Sequence, residues 1–210
     1  MLSKKVVIAG GTGEVGAGIA ALMYAEGCEV HIISRNQEKI DKLRSEYPDC
    51  FFYCIDCSDF EACSSVAEAI GNVDIFISTF GSYIDNENIL NYESHFVEKY
   101  FKDTLLARFN VLKYFLPKTH SFIDINGNSG WAPKPNHGLV SVTDAAQTML
   151  IKVIAAENPK NKISQLVICE RVSDEALKIT SVFEAIKELV ESKSKMMAIG
   201  NEANLLELSD

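Results

Sequence analysis

The stretch VVIAGGTGEVGAGIAALMYAEG, residues 6–27, constrains this chain more than any other. An apolar run enters glycines at positions 10, 13 and 16, and small and apolar residues at helical spacing follow. A strand that turns at once into a helix needs backbone room at the turn, which glycine supplies. The rest of the chain repeats the alternation. Apolar runs at 4–9, 29–34, 51–55, 73–79, 121–125 and 163–169, with a weaker one at 204–208, read as strands. Segments near 14–26, 36–46, 59–70, 95–115, 139–157 and 175–192 carry helical periodicity. Continuous apolar strands separated by amphipathic helices predict a parallel sheet covered on both faces. Pro117, Pro133, Pro135 and Pro159 fall in the connections, and no linker divides the 210 residues, so a single domain over 1–210 is expected.

Charge narrows the function classes. Lys and Arg number 20 against 29 Asp and Glu, a net charge of −9, so the chain has no general electrostatic footprint for nucleic acid or anionic membrane. The N-terminal MLSKKVVIAGG has too short an apolar run for a signal peptide, and no run of about 18 apolar residues occurs. A cytoplasmic location is expected, with neither nucleic acid nor membrane as partner. The six cysteines are then expected to be reduced. Cys54 and Cys57 form a CxxC, with Cys50 and Cys63 nearby, which raises a metal site. Because CFFYCID reads as a strand and no histidine is close in sequence, buried inert thiols and no metal are expected instead.

Gly10, Gly13 and Gly16 are spaced GxxGxxG between a strand and a helix. In that setting the first glycine permits a tight turn, the second lets backbone approach a pyrophosphate, and the third packs helix against strand. The helix N-terminus adds free N–H groups and a positive dipole end. A bound dinucleotide is therefore expected, with Thr12, Glu14 and Val15 beside the glycines; the plainer alternative is a structural turn. The second strand ends in Ser34, Arg35 and Asn36, with no carboxylate. A guanidinium suits a 2′-phosphate, which favours NADP(H) over NAD(H), unless Arg35 is merely a surface residue. In CIDCSD, Asp56, next to Cys57, either accepts from an adenine amino group or serves a turn or cap with Ser58 and Asp59. Thr79 and Gly81, after the fourth strand, complete the candidate set.

Together these motifs resemble the short-chain dehydrogenase/reductase family. GGTGEVG is similar to its cofactor loop, HIISRNQEKIDKL to its NADP-preferring second strand and helix, and CIDCSD to its adenine-contacting turn. VDIFISTFGS stands where the family has a strand ending in Asn-Asn-Ala-Gly, of which Gly81 remains. LLARFNVLKYFLP and SFIDINGNSGWA resemble the next helix, strand and loop. The resemblance implies a Rossmann-like doubly wound α/β sheet of about seven strands, order 3-2-1-4-5-6-7, and hydride transfer between nicotinamide and a carbonyl or alcohol. It also implies a catalytic Asn, Ser, Tyr and Lys. Those positions fall on Thr104, Gly127, Val140 and Asp144. Valine cannot trade a proton, and aspartate reverses the charge of lysine.

No tyrosine occurs from residue 115 onward, and the YxxxK at Tyr114–Lys118 is interrupted by Pro117. Tyr83, Ser129 and His137 are substitute candidates, each with a plainer role in loop packing, a turn or cap, or an exposed turn; Trp131 is a pocket wall or loop packing. After the sixth strand little chain remains to close over a substrate. Two readings follow: an NADP(H)-binding protein without the proton relay, serving as a redox sensor or binding subunit, or an NADPH-dependent oxidoreductase with a rearranged site for a carbonyl or quinone. The family also implies a homodimer through the 139–156 helix, whose Ala145, Ala146, Met149, Val153 and Ala156 offer a second apolar face; a buried core helix in a monomer is the alternative.

Overall fold

The computed structural model describes residues 4–81, 87–132, 135–173, 177–192, 195–201 and 203. Its strands are β1 (Lys5–Ala9), β2 (Glu29–Ser34), β3 (Phe51–Cys54), β4 (Val73–Ser78), β5 (Thr119–Gly127), β6 (Lys162–Ile168) and β7 (Met196–Ile199). All pair in parallel, in one sheet of order β3-β2-β1-β4-β5-β6-β7. Helices α1 (Glu14–Ala25), α2 (Gln37–Glu46), α3 (Phe60–Ile70), α4 (Ser94–Phe101), α5 (Ala107–Phe115), α6 (Gly138–Glu157) and α7 (Ile179–Glu191) form the crossovers. This is the parallel sheet covered on both faces that the alternation of apolar runs predicts, in the Rossmann-like strand order that the family resemblance implies.

The strands are apolar on both faces because both faces are covered. Along β1, Val6 and Ile8 enter the core beneath α1 and α7, with Ile19, Met23, Phe183 and Ile186. Val7 and Ala9 point the other way, into a core with Phe76, Val111, Phe115 and Phe122 beneath α3 and α5. That is the two-residue period of a strand. The order of strands reverses between β1 and β4, which opens a crevice beyond their C-terminal ends.

Three boundaries differ from the sequence reading. The seventh strand is Met196–Ile199, which the sequence reading did not single out, and the run at 204–208 lies outside the described residues. The short run MMAI pairs with Gln165–Ile168 as soon as the chain leaves α7. The expected 95–115 helix is three pieces, because a π turn at Lys102–Leu106 separates α4 from α5. Helix α7 begins at Ile179 rather than near 175. Helix α6 is long and apolar enough to cross a membrane by length and composition, yet it buries Asp144, Gln147 and Thr148, and Thr148 bonds across to Gln165 of β6.

Candidate cofactor and substrate cleft

The glycine loop leaves no room for side chains at two positions. Gly10 has φ +80°, and a Cβ there would lie 2.6 Å from Thr79 Oγ1. A Cβ on Gly16 would lie 2.5 Å from the Gly10 carbonyl oxygen. The loop is tied to its neighbours on both sides. The Gly10 N–H donates to the Ile33 carbonyl at 2.9 Å, Thr79 Oγ1 donates to the Ala9 carbonyl at 2.9 Å, and the Thr12 and Ser34 hydroxyls lie 2.6 Å apart. Gly13 caps α1 without a side chain, so the first-turn N–H groups are left for a ligand. A bare helix N-terminus behind a close-packed glycine turn fits a pyrophosphate.

Around this loop the sheet edge forms one cleft with two chambers. The first, about 320 Å³, is lined by Gly10, Thr12, Gly13, Ser34, Arg35, Asn36, Asp56, Cys57, Thr79 and Gly81, with Lys39, Asp103 and Thr104 in addition. The second, about 350 Å³, shares Gly13, Thr79, Phe80 and Gly81 and adds Glu14, Val15, Gly16, Asn126, Gly127, Asp144 and Glu170. Every residue expected at a dinucleotide thus lines one chamber or the other. The Ser34 hydroxyl also accepts the Asn36 N–H at 3.2 Å, and the Asn36 side chain caps α2 through the Lys39 N–H at 2.9 Å.

Arg35 is not alone in the first chamber. Its guanidinium pairs with Asp103 at 2.7 Å, and Lys99 pairs with the same carboxylate at 2.6 Å. Burial opposes ionisation of Asp103, but the hydrogen bonds from Lys99 and Arg35 outweigh it and hold the carboxyl below its ordinary value. The carboxylate missing from the end of β2 therefore arrives from the π turn. Asp56 serves a turn, its Oδ1 accepting the Ser58 N–H at 2.9 Å, while Asp59 caps α3 through the Ala62 N–H at 3.0 Å. Asp56 is exposed and still faces the chamber.

The cysteine reading needs one correction. Cys50, Cys57 and Cys63 are buried, but Cys54 is exposed, because β3 is an edge strand with only β2 beside it. Burial pushes the Cys50 thiol up to about 11. A hydrogen bond with Cys63, and then burial, raise Cys57 well above the ordinary thiol value. Among the described residues no three His, Cys, Asp or Glu side chains converge as metal ligands.

The four positions of the expected proton relay separate. Thr104 sits in the π turn, donates to the Tyr100 carbonyl at 2.7 Å, and lines the first chamber. Val140 is buried in a small apolar cluster with Tyr100 and Leu139, against which Phe96 and Phe101 pack. Gly127 and Asp144 face each other in the second chamber. A Cβ on Gly127 would lie 2.7 Å from Asp144 Oδ2. Asp144 is 7% exposed; it accepts a hydrogen bond from the Ser129 backbone N–H, and its Oδ2 has no partner. Burial pushes the Asp144 carboxyl up to about 6, against the pull of the Arg108 charge and the Ser129 N–H, and with a further push from Asp124.

Beneath this chamber runs a polar chain that the sequence reading missed. Arg108 and Asp124 are fully buried and paired through Nε and Oδ1. Arg108 Nη2 donates to the Phe80 carbonyl at 2.9 Å and the Ile125 carbonyl at 3.1 Å. Gln165 donates to Asp124 Oδ2 at 2.9 Å, and Thr148 donates to Gln165 at 3.0 Å. Asn126 Nδ2 donates to the Asp144 carbonyl at 2.9 Å and to Thr148 at 3.1 Å. The available signal was a lone charge inside an apolar run, Arg108 in LLARFNV and Asp124 in FIDIN.

Of the substitutes, Tyr83 lies outside the described residues. His137 stands at the N-cap of α6, and Ser129 serves Asp144 through its backbone; neither lines a chamber. Trp131 is half-buried in a turn closed by its N–H on the Asn128 carbonyl at 3.0 Å.

The chain is similar to known reductases and dehydrogenases. L-xylulose reductase of Homo sapiens is 23% identical over 169 residues, 78% of this chain and 69% of its own. A short-chain dehydrogenase from Streptomyces avermitilis superposes with a TM-score of 0.84 at 19% identity, covering 96% of this chain and 90% of that one. BdcA in complex with NADPH superposes with a TM-score of 0.80 at 16% identity, covering 95% and 93%. The family profile of short chain dehydrogenases matches residues 4–194. With the parallel seven-stranded sheet and the glycine loop at its switch point, that match places this chain in the short chain dehydrogenase family.

Proposed function

We propose that the cleft binds NADP(H) and that the protein does not reduce ordinary ketones or aldehydes. The glycine loop and the bare end of α1 support a pyrophosphate, and Arg35 and Lys39 in the first chamber support a 2′-phosphate. Asp103 already holds part of the Arg35 charge, so the preference for NADP(H) over NAD(H) is moderate. The dinucleotide, when bound, supplies or accepts a hydride. What carries the rest of the reading is Asp144. Reduction of a carbonyl builds negative charge on oxygen, and enzymes meet it with donors. Here the second chamber offers the Asp144 carboxylate and the bare Gly127 instead, while Val140 is buried apart from it with Tyr100 and Leu139.

A cytoplasmic, dimeric dinucleotide-binding protein, acting as a redox sensor or binding subunit, fits these features. A rearranged oxidoreductase for a carbonyl or quinone is the competing reading, and one experiment separates them. NADPH and NADH are titrated by fluorescence, and NADPH consumption is followed over a carbonyl and quinone panel. Expected is binding without turnover, NADPH binding more tightly than NADH, and loss of most of that margin, roughly 1.5–3 kcal/mol, in Arg35→Ala. Equal affinities would overturn the cofactor assignment. Turnover of a simple carbonyl above about 1 s⁻¹ would overturn the functional one.

A further inference from the structure

We infer that the second chamber is built for a cationic substrate, a protonated imine whose C=N carbon accepts hydride. This rests on the NADP(H) reading for the hydride donor and goes beyond it by naming the substrate class. The charged residues lining the chamber are Glu14, Asp144 and Glu170; no lysine, arginine or histidine is among the described residues that line it. Glu14 is exposed on the first turn of α1. One Glu170 oxygen accepts the Asn201 amide at 2.6 Å. Asp144 is more than nine-tenths buried, and its Oδ2 lies beside the bare backbone of Gly127 without a hydrogen-bond partner. The buried cation behind it, Arg108, is paired with Asp124 and does not line the chamber, although its charge is felt at Asp144 more strongly than that of Asp124. The charged side chains that line the chamber are therefore all acidic. A buried carboxylate oxygen with no partner is costly unless a ligand completes it.

An iminium ion also removes the need for a proton donor in the hydride step. A hydride, with its electron pair, leaves bound NADPH and forms a C–H bond at the iminium carbon. The C=N π pair becomes the nitrogen lone pair, giving a neutral amine, and NADPH becomes NADP⁺. No proton moves in this step; the amine takes one from water after release. With the nicotinamide bound beside the substrate, the positive charge would pass from one to the other, and the carboxylates Glu14, Asp144 and Glu170 would favour both sides of the transfer. With a carbonyl the same carboxylates would oppose the developing alkoxide.

The test compares rings of one size. Pyrrolidinium, a stable cation, and cyclopentanone, a neutral isostere, are titrated calorimetrically into the protein with and without NADP⁺. NADPH consumption is then measured with 2-methyl-1-pyrroline and with cyclopentanone. Expected is binding of pyrrolidinium and not of cyclopentanone, at least ten-fold weakening of pyrrolidinium in Asp144→Asn, and NADPH consumption with the imine alone. The two-ring comparison in the wild type needs no variant, and Glu170→Gln, at a partly exposed side chain, gives a second, smaller loss. Failure of a protein that binds NADPH to bind pyrrolidinium, or equal affinity in Asp144→Asn, overturns the inference. Pyrrolidinium binding in a protein that never binds NADPH overturns the dinucleotide reading instead, and with it the hydride step.

Discussion

Asp144 and Gly127 are best understood as one substitution in two places. Serine at 127 would put its Cβ 2.7 Å from Asp144 Oδ2, so the aspartate is accommodated only because residue 127 has no side chain. Gly127→Ser alone is expected to cost about 1–3 kcal/mol by overpacking. In an Asp144→Ala background most of that cost should vanish, and a denaturant double-mutant cycle showing additive effects would refute the coupling. Asp144 also has a pH signature. Its folded value of about 6 lies above the ordinary 3.8, so the folded chain holds this proton more tightly than the unfolded one. That contribution is fully present below about pH 4 and is lost as pH rises through 6, amounting to roughly 3 kcal/mol. Glu29 and Asp103, both held low, act in the opposite sense and lose their contribution as pH falls. The diagnostic quantity is therefore the difference between wild type and Asp144→Asn. The variant should gain on the wild type between pH 4 and 6, and parallel melting curves would remove Asp144 from the account.

Among the elements, the α4–π turn–α5 segment does the most to shape the cleft. A π turn adds a residue to the helical register and frees a carbonyl. Here Thr104 donates to the Tyr100 carbonyl four residues back. The turn delivers Asp103 to Arg35 at the first chamber, and one turn later α5 delivers Arg108 to Asp124 below the second. An uninterrupted 95–115 helix, as its periodicity suggests, would change the phase between those two residues. Arg108 then clamps α5 to β5 and to the end of β4 through the Ile125 and Phe80 carbonyls. Arg108→Leu strands the Asp124 carboxylate and is expected to cost about 3–5 kcal/mol in urea unfolding. Arg108→Met with Asp124→Leu should recover much of it. A single-variant loss under about 1 kcal/mol would show that the pair is no anchor.

At the scale of the molecule, α6 and α5 together leave an apolar surface uncovered. Val142 is 45% exposed, Met149 59% and Val153 43%, with Leu106 and Phe109 exposed on the neighbouring segment. Ala145 and Ala156 continue the α6 stripe, while Ile151, Thr148 and Gln147 face inward. So the helix is not wholly core; its two faces are both apolar, and only one is used within the chain. A homodimer about a two-fold axis through this face is expected, and sedimentation should give twice the chain mass at micromolar concentration. Met149→Glu with Val153→Glu should shift it to the monomer with the fold intact. A wild type that sediments as a monomer would refute the assembly.

The order of strands and helices and the place of the glycine loop were legible because they follow from local patterns: the two-residue and 3.6-residue periods, and glycine where a Cβ would strike Thr79 or the Gly10 carbonyl. The absence of tyrosine from residue 115 onward was also legible, since it is a matter of which residue types are present at all. What the linear pattern did not contain was which distant residues meet. Asp103 reaches Arg35 from 68 positions away in the numbering, Gln165 reaches Asp124 from 41, and Asp144 fills the space over Gly127. The seventh strand was likewise decided by pairing, since MMAI is too short to announce itself and forms only because β6 presents an open edge. Local propensity selects the elements, but charge compensation, burial and edge pairing act between elements, so only the folded chain could reveal a carboxylate-lined chamber at the end of a dinucleotide cleft.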